Sequence, residues 1–183
     1  MNNKIKFIAL SALASAMTFT SVASQAAVDG SVEVKFQSSI TSASCDVGVF
    51  DDNGSQILSN TVVLPSLTLA DITADNDVVG DATDFSVGPL VPADCAYTDF
   101  QIGATGDVVT TDVLRNSYAD GAANMGVKVT LKDGTPILNT IADGSVGSAG
   151  DPIELTSQLF HVGSDAATTG LIGATTTITT AYY

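Results

Sequence analysis

From residue 28 to residue 40 the chain reads VDGSVEVKFQSSI, with two parities of opposite character. Val28, Gly30, Val32, Val34, Phe36, Ser38 and Ile40 make a mostly apolar set. Asp29, Ser31, Glu33, Lys35, Gln37 and Ser39, between them, are all polar. Successive side chains on extended backbone point to opposite sides, so a period of two predicts a strand with one buried face. Such a face near the start of a mature chain is costly to leave wet, and something must receive it.

The residues ahead of this stretch read as a targeting segment. Lys4 and Lys6 precede the apolar run FIALSALASA, and Ser24 and Ala26 occupy the −3 and −1 positions of a cleavage site before Ala27. Residues 1–26 are therefore expected to be a secretory signal peptide, because the apolar run is too short to span a bilayer. No later segment is apolar for about 18 residues, so no membrane insertion of the mature chain is expected. Without Lys4 and Lys6, four basic residues face 20 acidic ones, a net charge of 4 − 20 = −16. Nucleic acid and anionic membrane would not be attracted to that surface, which argues against them as partners.

Cys45 and Cys95 are the two cysteines of the chain, and both lie in the exported part. In an oxidising compartment such a pair is expected to form one disulfide. A redox or metal-binding pair is the alternative. It is disfavoured because there is no CxxC spacing and the lone histidine, His161, cannot complete a zinc site. With no partner for nucleophilic or metal chemistry, His161 is expected at the surface.

Beyond the cysteines, short alternating runs are separated by turn residues, and helix signals are nearly absent. Residues 45–50 run into Asp51-Asp52-Asn53-Gly54, a turn. Residues 57–64 look like the next strand, followed by Leu67, Leu69 and Ile72, and the acidic tract 71–84 reads as an exposed loop. Phe85 and Val87, then Phe100 and Ile102, flank Cys95. Met125, Val127, Val129 and Leu131 alternate up to a hairpin turn at Lys132-Asp133-Gly134. Ile153, Leu155, Leu159 and Phe160 form a further strand region, and residues 174–183 close the chain. Many short strands with turns at intervals of about 8–12 residues predict a single all-β sandwich or barrel. Both ends are strand-like edges, and the terminal ATTTITTAYY carries neither the charge nor the proline that usually blunts an edge.

In this order the residues resemble the pilin subunits of chaperone–usher fimbriae, especially type 1-like major pilins. GSVEVKF is followed by Cys45 nine residues after Phe36, and Phe85-Ser86-Val87 leads to Cys95. Arg115-Asn116 runs into Gly121-Ala122-Ala123-Asn124-Met125-Gly126-Val127, with Asp133-Gly134 beyond. Gln158-Leu159-Phe160 and Ala167-Thr168-Thr169-Gly170 precede a penultimate Tyr182, with Gly170 fourteenth from the end. One departure is Val32, which stands where members commonly carry glycine; here the glycine is Gly30.

The resemblance implies an incomplete immunoglobulin-like β-sandwich lacking its last strand (residues 41–183) behind an N-terminal donor-strand extension (residues 27–40). Val28, Val32, Val34 and Phe36 would plug the groove of a neighbouring copy, with Gly30 where backbones approach closely. Ile178, Thr180 and Tyr182 would line the groove edge. A periplasmic chaperone would pair with the strand after Gly170 and anchor the carboxylate of Tyr183. The implied partners are further copies of the pilin, the chaperone and an outer-membrane usher. The implied destination is a surface fimbrium supporting cell adhesion, reached through the periplasm, with no cofactor.

Three other readings compete. A minor adaptor or tip pilin fits the same motifs. A secreted β-sandwich carbohydrate-active enzyme would need paired carboxylates, which are plentiful, but the chain has no Trp to stack sugars and no Ser-His-Asp pattern. A calcium loop at residues 75–86 fails because position five is Val79 and position twelve is Ser86 rather than Glu.

Overall fold

Nine strands make up the described part of the computed structural model, residues 45–183. They are β1 (Val47–Asp51), β2 (Asp77–Pro89), β3 (Asp99–Gly106), β4 (Val108–Thr110), β5 (Val113–Arg115), β6 (Met125–Leu131), β7 (Ile141–Ser145), β8 (Ile153–His161) and β9 (Thr176–Tyr182). The only helical elements among the described residues are 3-10 turns at Leu69–Asp71 and Pro92–Cys95. The signal segment and the 28–40 strand expected from the sequence lie outside the described residues.

The strands form two antiparallel sheets, one ordered β1-β2-β8-β6-β5-β4 and the other β7-β3-β9. Alternation in the sequence decides what each strand buries. Met125, Val127, Val129 and Leu131 of β6, and Ile153, Leu155 and Leu159 of β8, are buried, as are Phe100, Ile102 and Ala104 of β3. They meet in one hydrophobic cluster. Each fully buried side chain of this size contributes about 1.5–3 kcal/mol. The result is a two-sheet β-sandwich in which β9 stands at the edge of the smaller sheet among the described residues.

The turn after β6 forms where Asp133-Gly134 predicts it. Gly134 takes a left-handed φ of 90°. The Leu131 amide donates to the Thr135 carbonyl at 2.9 Å, and Asp133 Oδ1 accepts from the Thr135 amide at 2.9 Å.

Three expectations are corrected. Residues 57–64 form no strand, although Val62 and Leu64 still pack against the core. The apolar residues there are divided, with Val62 and Leu64 half-buried and Leu58 and Val63 exposed. The acidic tract 71–84 is not a loop throughout, because β2 begins at Asp77 and pairs with β8 from Asp77↔His161 onward, across an irregularity between Val79 and Thr83. His161 is not a surface residue: it is 4% exposed. It continues the inward parity of Ile153, Leu155, Ser157 and Leu159 at the end of β8.

Candidate functional site

The C-terminal strand buries one face and pairs along one edge. Its threonines favour extended backbone because branching at Cβ restricts χ1 and suits a pleated surface. Pairing with β3 runs from Phe100↔Tyr182 through Ile102↔Thr180 and Ala104↔Ile178 to Gly106↔Thr176. That register turns Ile178, Thr180 and Tyr182 toward the core, with Thr177 and Thr179 exposed. On its other side β9 has no strand partner among the described residues. A strand edge of this kind carries a row of unpaired N–H and C=O groups, a template for another strand.

The margin of the larger sheet is incomplete as well. β1 covers β2 only over Phe85–Pro89, so the first part of β2 has no ladder on that side among the described residues. The irregular chain between β1 and β2 covers the gap in part. Leu67 lies over Gly80, so close that a Cβ at Gly80 would collide with it. Val49, Val62, Leu64, Leu67 and Ile178 all pack on the core yet remain only half-buried. Between the sheets, a cleft of about 690 Å³ reaches Phe85, Phe100 and Leu155, rimmed by Asp51, Asp84 and Glu154.

Tyr182 anchors the end of β9. It is buried, and its hydroxyl lies 3.4 Å from the Asp151 carbonyl and 3.5 Å from the Val87 carbonyl of the opposite sheet. Burial, reinforced by the negative charge of Asp151, pushes its pKa up to about 12, so the phenol stays protonated and can donate. Tyr183 follows as an exposed residue whose amide donates to the Asp99 carbonyl at 3.0 Å.

The approach to β9 is fixed by a second set of residues. Gly170 lies ahead of the strand, against the backbone of Gly121 and Ala122, where a Cβ would meet the Ala122 nitrogen. Asn116 ties the same two segments together. Its Nδ2 donates to the carbonyls of Ala122 and Leu171, each at 3.0 Å, and its Oδ1 accepts from the Gly173 amide at 3.1 Å. Asn124 Nδ2 reaches the Ala166 carbonyl at 3.0 Å. The Asn116 to Val127 stretch, visible in the sequence as a motif, holds the β8–β9 connection. The asparagine followed by glycine and small residues was the available signal.

Cys45 and Cys95 are bonded, with Cα atoms 5.8 Å apart, and Cys95 is wholly buried. The bond fastens the chain entering β1 to the 3-10 turn after β2. Val28, Gly30, Val32, Val34 and Phe36 lie outside the described residues. Among the described residues there is no cluster of three or more His, Cys, Asp or Glu able to hold a metal, and no helix long and apolar enough to cross a membrane.

No protein-family model matches the chain, and no curated protein sequence does at a significant level. The fold has a clear neighbour. It is similar to the crystal structure of the P pilus rod subunit PapA, with a TM-score of 0.57 and 14% sequence identity over 82% of this chain and 99% of that one. The chain therefore has the pilin fold.

Proposed function

We propose that this chain is a structural subunit of a surface fimbrium, exported to the periplasm and polymerised there by donor-strand exchange through a chaperone and an outer-membrane usher. The observation that carries the reading is β9: an inward-facing Ile178, Thr180 and Tyr182 on a strand whose outer edge has no partner among the described residues. The likeness to a pilus rod subunit supports the same reading.

In this account the extension 27–40 of one copy lies beside β9 of the next. Main-chain hydrogen bonds supply the pairing and alternate side chains supply the specificity. Val28, Val32, Val34 and Phe36 are the plugs, worth on the order of 6–12 kcal/mol together. Gly30 marks the closest backbone approach. A chaperone strand holds the edge until a neighbouring copy replaces it, and the resulting homopolymer supports adhesion at the cell surface.

The test is deletion of residues 27–38 in the producing cell, with the surface examined by negative-stain microscopy. The expected outcome is a subunit that accumulates with its chaperone and yields no filaments. Normal filaments from the deleted subunit would contradict the proposal.

A further inference from the structure

His161 is the single histidine of the chain, and the strand-exchange reading makes no use of it. Its ring is buried at the end of β8, with Nδ1 2.9 Å from the Ala74 carbonyl oxygen and Nε2 3.0 Å from the Asp165 carbonyl oxygen. Both neighbours are acceptors only. A neutral imidazole carries one N–H, so it would satisfy one contact and set a lone pair against a carbonyl at the other; the imidazolium donates to both. The cost of an unmade contact rises with burial, and this ring is almost wholly covered.

The ionisable surroundings favour the charged form. Asp75, in the stretch entering β2, places a carboxylate oxygen 3.7 Å from Nδ1. Asp77 of β2 stands opposite His161 in the ladder, whereas Met125, its partner on β6, brings no charge. Asp165, beyond β8, supplies the second carbonyl. Uncharged bonds frame the same junction: Asn76 Oδ1 accepts from the Gly163 amide at 2.7 Å, and Asn124 Nδ2 reaches Asp165 and Ala166.

We propose that His161 is a proton-dependent clamp. As an imidazolium it bonds the stretch entering β2 to the β8–β9 connection, and loss of its proton releases one of the two. Supporting this, the hydrogen bond to Ala74 raises its pKa above the ordinary 6.5, against the opposing effect of burial, with Asp165 and Asp75 adding to the rise. The clamp therefore stays closed where an ordinary histidine has already become neutral. It belongs to the fold and does not depend on the assembly role proposed above.

Because there is one histidine, NMR of the whole exported chain labelled only at histidine gives one imidazole signal, in solution or in the assembled solid. We expect both ring nitrogens protonated below a midpoint that lies above 6.5. Amide exchange over residues 72–76 and 163–168, corrected for its intrinsic pH dependence, should rise through that midpoint by about threefold to tenfold, the range one hydrogen bond supplies. A midpoint at or below 6.5, or exchange in these segments that ignores the midpoint, overturns the proposal. His161→Gln has one donor nitrogen, which cannot reach both carbonyls, and no titrating proton, so it should exchange at the high-pH level throughout. A surviving step in that variant also overturns it.

Discussion

The hydroxyl of Tyr182 lies 3.5 Å from the carbonyl oxygen of Val87, so this side chain carries the last strand of the smaller sheet across to the second strand of the larger one. The contact is long, and the ring beneath it is buried among apolar neighbours. Packing should therefore outweigh the hydrogen bond. Tyr182→Phe is expected to cost about 1 kcal/mol or less, whereas Tyr182→Ala should cost about 3–5 kcal/mol. Chemical denaturation of both variants measures the difference, and equal losses would mean that the hydroxyl dominates.

Gly170 and Gly163 both hold a positive φ, and Gly170 is crowded as well. A Cβ at Gly170 would strike the backbone of Ala122, while Gly163 has open space around it and a left-handed φ of 79°. Gly170→Ala should destabilise by about 1–3 kcal/mol through overpacking. Gly163→Ala should cost only the conformational penalty of about 1 kcal/mol. Thermal melts of the two variants give the order directly.

Asn116 donates to two carbonyls and accepts from an amide, so its replacement by Asp is informative. Asn116→Asp keeps the shape and the acceptor but turns a second oxygen toward the Ala122 and Leu171 carbonyls. It should be at least as damaging as Asn116→Ala, each by about 1–3 kcal/mol. Hydrogen exchange over residues 118–123 and 170–173 should quicken in both.

The disulfide closes a loop with a sequence separation of 50. In the chain-entropy model its loss costs about 4 kcal/mol. Cys45→Ser and reduction of the wild type should shift the denaturation midpoint by similar amounts. A reduced protein as stable as the oxidised one would contradict this.

His161 gives the stability a defined pH dependence. Its folded pKa lies above the unfolded value near 6.5, so its contribution is fully present below 6.5 and is lost as pH rises through the folded value. The difference in melting temperature between wild type and His161→Gln should therefore be largest below pH 6.5 and shrink on alkalinisation.

Much of the sandwich was legible because burial imposes a period of two. Met125 to Leu131, Ile153 to Phe160 and the final Thr-rich stretch all display that period, and each forms a strand. What was not legible depends on partners distant in sequence. Val62 and Leu64 are apolar because the core needs them, but nothing local shows that no strand runs beside them. Asp77 to Asp84 looks like a loop by composition, yet β8 offers it a ladder, and a strand with an exposed face tolerates aspartate. The parity of β8 already carried His161 inward. Asn116 was visible as a motif, but its carbonyl partners at Ala122 and Leu171 become neighbours only in the folded chain.

The central claim is that residues 28–36 of one copy lie beside β9 of another. Two differently tagged chains can be co-expressed, one bearing Thr180→Cys and the other bearing a cysteine at Val32, Val34 or Phe36. The account predicts a covalent dimer joining the two tags for at least one of these positions, and none when the cysteine replaces Glu33 or Lys35 on the opposite face. A bond that forms only when both cysteines are carried by one chain, or at none of the three positions, would contradict it.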